Sequence, residues 1–265
     1  MDFSYAIILG VVEGITEFLP ISSTGHLMLT ARLLDLGQSE FLKSFEIIIQ
    51  LGAILSVVAL YWRELLVKWE TMKRVVVAFV PTGIIGLVLY KIVKAYLLGS
   101  ETVVLWSMFL GGLFLLAFEY WYGKKSPLTP LLQSGENNKL ENISYGQAAA
   151  LGLFQSIAII PGVSRSAATI LGGLFMGISR KTIVEFSFLL AVPTMLAATL
   201  LDLFKSAGQF SLSQWDFLAV GFFVSFVTAL TSIKFLLNFI KKHSFIAFGA
   251  YRMAIALIFW FFIVR

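Results

Sequence analysis

Apolar runs of roughly 20 residues recur along this chain, and each is long enough to cross a hydrocarbon core about 30 Å thick. That one feature removes most fold classes. Of the 265 residues, 58% are hydrophobic and 13% charged, against about 25% charged in an ordinary soluble domain. A soluble globule of this length keeps too many residues near water to hide so much apolar surface. The expectation is an all-α integral membrane protein. The formal net charge of +5 forms no basic block or stripe, which excludes nucleic acid as a partner. The absence of cysteine excludes disulfides, thiolate nucleophiles and Cys-ligated metals.

Six stretches read as full crossings: 45–62, 75–93, 102–121, 184–203, 215–235 and 246–264. Four others, near 5–18, 23–35, 146–159 and 164–177, are too short or too interrupted to span. The opening Met1-Asp2-Phe3-Ser4 lacks the positive start of a signal peptide, so residues 1–18 are expected to belong to the fold. Each pair of short segments is broken at a proline followed by polar residues, Pro20-Ile21-Ser22-Ser23-Thr24 and Pro161-Gly162-Val163-Ser164-Arg165. This predicts two re-entrant helical hairpins, whose irregular backbone is tolerated only beside protein or a wet cavity. The halves echo each other at an offset of about 141 residues. Gly10-Val11-Val12-Glu13 recurs weakly as Gly152-Leu153-Phe154-Gln155, Pro20 falls near Pro161, and Phe45 maps onto Phe186.

With one hairpin and three crossings per half, the second copy must sit upside down. The expectation is therefore one membrane domain over 1–265. It comprises a first inverted repeat (1–122), a cytoplasmic linker (123–144) and a second repeat (145–265), with a site where the repeats meet near mid-membrane. Charge orients the molecule. The loops at 63–74, 122–145, 178–183 and 234–245 carry Arg63, Lys68, Lys73, Arg74, Lys124, Lys125, Lys139, Arg180, Lys181, Lys234, Lys241 and Lys242. The opposite side carries Arg32, Lys43, Lys91, Lys94, Lys205 and Arg265. The richer set belongs in the cytoplasm, with both termini outside.

The chemistry is expected in the two polar motifs. Glu13 and Glu17 are one helical turn apart on one face, and carboxylates at membrane depth are costly unless paired, protonated or bound to a cation. Oxygen-only ligands suit Mg²⁺ or Ca²⁺; the bland alternative is two solvated carboxylates at a helix end. Ser22, Ser23 and Thr24 supply hydroxyls, Gly25 flexibility and His26 a titratable ring. Ser22 or Ser23 could simply cap the following helix, whose N-terminus also favours a phosphate. His26, three residues after Ser23, is placed to serve it as acid or base. In the second motif, Arg165 offers a planar fork for phosphate oxygens, flanked by Ser164 and Ser166, with Thr169 one turn on. Its bland alternative is a buried cation that only neutralises Glu13 or Glu17. Glu46 and Gln50 are weaker candidates for the same cavity, and Glu119, Glu185 and Asp202 read as interfacial.

The run Glu13-Gly14-Ile15-Thr16-Glu17-Phe18-Leu19-Pro20-Ile21-Ser22-Ser23-Thr24-Gly25-His26, followed by Pro161-Gly162-Val163-Ser164-Arg165-Ser166-Ala167-Ala168-Thr169, closely resembles the bacterial undecaprenyl-diphosphatases, the bacitracin-resistance family of membrane phosphatases. The resemblance extends over essentially the whole chain. It implies hydrolysis of undecaprenyl diphosphate to undecaprenyl phosphate and inorganic phosphate, recycling the carrier for peptidoglycan synthesis. It also implies a multi-pass protein of the plasma (inner) membrane with its site toward the outer side and a divalent-metal requirement, Mg or Ca. By position, Glu13 and Glu17 match the acidic pair, Ser23 and His26 the proposed catalytic hydroxyl and imidazole, and Arg165 the phosphate-binding arginine. Catalytic roles are thus expected of Glu17, Ser23, His26 and Arg165. Substrate contacts are expected of Ser22, Thr24, Gly25, Ser164, Ser166 and Thr169, and metal ligation of Glu13 and Glu17. The partners implied are a polyprenyl diphosphate lipid and the bilayer, with a homodimer left open.

Architecture alone fits a transporter or flippase for lipid-linked phosphate equally well; the Ser-Ser-Thr-Gly-His cluster argues for chemistry. A phosphatidic-acid-type phosphatase is disfavoured, because Ser164-Arg165 is not followed by that family's His and Asp. A non-enzymatic scaffold leaves the polar motifs unexplained.

Overall fold

A helix cannot run through either broken motif, and the chain shortens its helices on both sides of each. In the computed structural model, which describes residues 3–37, 39–97, 99–125, 139–206 and 215–263, ten α-helices account for most of those residues. Helices α1 (Phe3–Thr16) and α2 (Ser23–Leu33) flank the first motif. Then come α3 (Glu40–Leu66), α4 (Trp69–Tyr96) and α5 (Glu101–Lys125). The order repeats: short α6 (Tyr145–Ser156) and α7 (Arg165–Phe175), then longer α8 (Arg180–Ser206), α9 (Trp215–Phe239) and α10 (Ile246–Ile263). The middle of the expected linker, 126–138, and the side chains of Lys94, Lys124, Lys125, Asp202, Lys205 and Arg265 lie outside the described residues.

Five helices, α3, α4, α5, α8 and α9, are long and apolar enough to cross a membrane among the described residues. Helix α10 has 18 residues, about 27 Å at 1.5 Å per residue, and its described stretch falls in the shorter class. Helices α1, α2, α6 and α7 have 14, 11, 12 and 11 residues. Each reaches at most about 21 Å and is too short to span alone.

The halves interlock rather than lie side by side. Helix α1 packs along α9, and α6 along α4, so the first helix of each half rests on the fourth of the other. The third helices, α3 and α8, pack together, as do the fifths, α5 and α10. Close approach needs missing side chains. A Cβ on Gly14 would lie 2.7 Å from the Ser225 carbonyl oxygen in α9, and one on Gly152 would collide with the Ala78 carbonyl in α4. Hydroxyls fix the same contacts: Ser232 donates to the Ile15 carbonyl (2.8 Å), and Thr82 donates to that of Gly152 (2.8 Å). Where the loop after α1 meets α8, the fully buried rings of Phe18 and Phe188 pack edge to face, centroids 5.4 Å apart.

Glu119, read from sequence as interfacial, is buried. It accepts both Nη groups of Arg180, at 2.6 and 2.7 Å, and the Phe245 amide at 3.1 Å. The sequence reading located it near a helix end but could not see that α8 and α10 begin against it.

Candidate active site

Both breaks are built by local rules. The residue before a proline avoids helical conformation, which ends the first segment ahead of Pro20. The chain turns through Ile21, whose amide donates to the Leu19 carbonyl (2.8 Å), and reaches Ser22. Ser22 caps α2: its Oγ accepts the Gly25 amide at 3.3 Å, while its own φ of 75° is a left-handed value rarely adopted by serine. In the second break, Pro161 and Gly162 (φ 88°) occupy the corners of a turn closed by the Val163 amide donating to the Ile160 carbonyl (3.1 Å). A turn of that form requires a positive φ at its third residue, hence glycine. Ser164 then caps α7, its Oγ accepting the Ala167 amide at 3.2 Å. Ser23 and Arg165 therefore hold equivalent places, each the first residue of an 11-residue helix behind a serine cap.

The two helix N-termini open on one cavity of about 140 Å³, lined by Glu17, Ser22, Ser23, Thr24, Gln50, Ala158, Val163, Ser164, Arg165 and Met195. First-turn amides lack intrahelical acceptors and carry the positive end of the helix dipole, so the electrostatics of the cavity favour an anion from two sides. Across it runs a continuous chain of bonds. Ser23 Oγ donates to Glu17 Oε2 at 2.5 Å, and Arg165 Nη2 donates to Glu17 Oε1 at 3.2 Å. Arg165 Nη1 donates to the Ser187 carbonyl (2.9 Å), leaving its buried Nε–H without a partner. The pairing of Arg165 with Glu17 is what simple charge neutralisation predicts, but neutralisation alone does not account for the hydroxyls and free amides around it.

Of the residues singled out from sequence, Glu17, Ser22, Ser23, Thr24, Ser164 and Arg165 meet at the cavity, and Gln50 joins them. The others stand behind. Ser166 is fully buried and donates to the Leu19 carbonyl at 3.0 Å, tying one loop to the other. Thr169 is equally buried, donating to the Arg165 carbonyl (3.0 Å) and contacting Gln155 (3.4 Å), so its hydroxyl does not face the anion site. Gly25 packs on Met108, where a Cβ would strike the sulfur. His26 is not beside the Ser23 hydroxyl: its Nδ1–H donates to the Ser22 carbonyl at 2.7 Å, and Nε2 meets the Tyr251 hydroxyl at 2.9 Å. Three-residue spacing suggested proximity, but the ring leaves the helix on the α10 side and Glu17 takes the place beside Ser23.

Glu13 is fully buried with both carboxylate oxygens lacking a hydrogen-bond partner, within reach of the charges of Glu17, Glu46 and Arg165. An unpartnered buried carboxylate is costly, and a hard cation relieves that cost. Among the described residues no three His, Cys, Asp or Glu side chains cluster as a complete metal cage. One or two carboxylates supplemented by substrate phosphate oxygens is the usual way Mg²⁺ is held, and Glu13 with Glu17 fits that mode.

Sequence reasoning passed over Tyr251 and Arg252. The signal was available: the loop count leaves two of the 20 basic residues unassigned, Arg165 and Arg252, and a cation inside an apolar crossing marks a site by default. Gln155 was noted only as the counterpart of Glu13; it is buried and donates to Thr82 (3.3 Å) and Thr194 (3.0 Å).

The family model of the bacitracin resistance protein BacA matches residues 6–258. Undecaprenyl-diphosphatase of Aquifex aeolicus is 50% identical over 254 residues, 96% of each chain. The enzyme of the same name from Persephonella marina is 47% identical over 264 residues, the whole of both chains. That of Thermus thermophilus is 44% identical over 263 residues, 98% of this chain and 97% of the relative.

Proposed function

The chain belongs to the BacA bacitracin resistance family, and from that premise and the geometry of its site we propose how it acts as an undecaprenyl-diphosphatase. It hydrolyses undecaprenyl diphosphate to undecaprenyl phosphate and inorganic phosphate, returning the lipid carrier to peptidoglycan synthesis. The observation that carries the mechanism is the bonded sequence Ser23–Glu17–Arg165, which joins a nucleophile, a base and an anion-binding cation across the two loops.

Arg165 and the first-turn amides of α2 and α7 bind the diphosphate, with Ser164 and Thr24 at the cavity wall. Positioning and charge neutralisation of this kind supply most of the catalysis in phosphoryl transfer. Ser23 Oγ attacks the terminal phosphorus as Glu17 takes its proton. The bond to the bridging oxygen breaks, and undecaprenyl phosphate leaves with the bridging electrons. Water, deprotonated by a carboxylate, then cleaves the Ser23 phosphoester and frees inorganic phosphate. Glu13 and Glu17 would hold a divalent cation, Mg²⁺ or Ca²⁺, which when bound neutralises charge on the diphosphate oxygens. His26 orients the first loop through the Ser22 carbonyl and stands one residue layer from the reaction. The polyprenyl tail lies in the lipid beside the cavity mouth.

In the membrane the same reading gives six crossings, α10 being the sixth, and two re-entrant pairs, α1–α2 and α6–α7. The repeats are 1–122 and 145–265, inverted, with 123–144 as a cytoplasmic linker. The repeated succession of two short and three longer helices supports this, and the distribution of Lys and Arg supports both termini lying outside; the outward-facing site in the plasma membrane rests on the resemblance to the family.

The test is phosphate release from undecaprenyl diphosphate by detergent-solubilised protein, in which transport has no compartments to act between. Release by wild type, and its loss in Ser23→Ala, supports the covalent route. If Ser23→Ala keeps most of the rate while Arg165→Ala loses it, water is the nucleophile.

A further inference from the structure

Arg252 lies in the second turn of α10 with 1% exposure, yet among the described residues no carboxylate meets it. Its hydrogen bonds among those residues go to backbone carbonyls. Nε donates to Met108 (3.3 Å), Nη1 to Pro20 (3.4 Å), and Nη2 to Ser107 (3.1 Å) and Gly162 (3.2 Å). Met108 and Ser107 belong to α5. Pro20 is in the first active-site loop and Gly162 in the second, 142 residues apart in sequence. One rigid fork thus joins the two loops that carry Glu17 with Ser23 and Arg165.

The surroundings are shaped for that reach. A side chain at Gly111 or Gly112 in α5 would enter the Arg252 side chain, the Cβ of Gly111 falling 2.9 Å from the guanidinium carbon. The next residue back on α10 acts on the same loop: the Tyr251 hydroxyl meets His26 Nε2 at 2.9 Å, with the rings parallel at 7° and centroids 5.5 Å apart. A cation buried at membrane depth is expensive. Lysine would hold the charge with three donors at one point, whereas only the planar guanidinium with five spread donors can span acceptors on three chain segments.

We propose that Arg252 is a positioning residue of the diphosphatase, fixing the separation and orientation of the two loops so that Ser23 and Glu17 face the phosphate held by Arg165. It touches neither cavity nor substrate. This rests on the functional reading above, and its test also has a readout independent of activity.

Two variants isolate it. Arg252→Lys keeps the charge and loses the span. Gly111→Ala leaves Arg252 in the sequence but pushes its guanidinium, from a position that faces neither loop. Both are compared with wild type as folded, monodisperse protein in detergent, by kinetics and by hydrogen exchange. Because misplacement of reacting groups by about 1 Å costs roughly 10²-fold, kcat is expected to fall about tenfold to a hundredfold in both, with KM within about threefold. Exchange should accelerate in peptides 17–25 and 160–167 and stay unchanged in α9. Uniform acceleration along the whole chain, or kcat within twofold of wild type in both variants with protected loops, overturns the proposal. A wild type that releases no phosphate overturns the functional reading instead, while the exchange data still decide whether Arg252 organises the loops.

Discussion

Glu17→Gln is the substitution whose consequence follows most directly from the site. The carboxylate receives two donors, the Ser23 hydroxyl at 2.5 Å on Oε2 and Arg165 at 3.2 Å on Oε1. Glutamine has the same shape but one oxygen and one NH₂. With its NH₂ toward Arg165 it sets donor against donor, with its NH₂ toward Ser23 the hydroxyl must turn to accept, and in neither can the side chain accept a proton from Ser23. Hydrogen bonds to charged groups contribute about 1.5–3 kcal/mol each, so one misplaced contact already costs tenfold or more. Loss of the general base removes a further factor, and base catalysis alone is typically about 10²–10⁴-fold. The expected fall in kcat is therefore about 10³–10⁵-fold, or about 4.1–6.8 kcal/mol of barrier. The assay is steady-state phosphate release from undecaprenyl diphosphate in detergent, with folding checked by thermal unfolding. A variant that keeps kcat within about threefold of wild type would refute Glu17 as the base.

Three further outcomes are expected. Gly162→Ala places a Cβ 2.5 Å from the Val104 carbonyl oxygen at a φ of 88°. It should lower stability by about 1–3 kcal/mol, read as a reduced unfolding temperature together with reduced phosphate release. Arg180→Ala leaves Glu119, whose side chain is 2% exposed, with only the Phe245 amide. Breaking such a buried pair should destabilise by about 3 kcal/mol in denaturant titrations. Glu13→Gln removes one of the two carboxylates assigned to the cation. After chelation, the Mg²⁺ concentration that restores half-maximal phosphate release should rise by about 10–100-fold, and an unchanged requirement would remove Glu13 from the metal site.

The parts of this molecule written in local pattern were readable from sequence. Apolar length fixed the membrane class, and Pro20 and Pro161 fixed where helices break, because proline acts on its immediate neighbours. The short segments expected near 5–18, 23–35, 146–159 and 164–177 are the helices 3–16, 23–33, 145–156 and 165–175. Six of the expected site residues, from Glu17 to Arg165, line one cavity.

What sequence spacing could not supply was side-chain direction. His26 follows Ser23 by three residues, yet its ring points to Tyr251 on the far side of α2. Ser166 and Thr169 share the polar run of Arg165, but their hydroxyls are spent on the Leu19 and Arg165 carbonyls. Arg252 shows in the sequence only as a cation inside an apolar crossing; its partners are backbone carbonyls, which leave no pattern of their own from which its role could be read. The sixth crossing is a matter of length, where α10 at 18 residues sits near the lower limit for a span.

The central claim is that one composite site, assembled from both halves, cleaves the terminal phosphate, and Arg165 tests it most directly. Inorganic phosphate released from undecaprenyl diphosphate should be measured for wild type and Arg165→Ala, each with and without chelator. The account predicts one phosphate per lipid from wild type, suppression by chelator, and a rate about 10²-fold lower or worse in Arg165→Ala. Equal rates in the two proteins would contradict it.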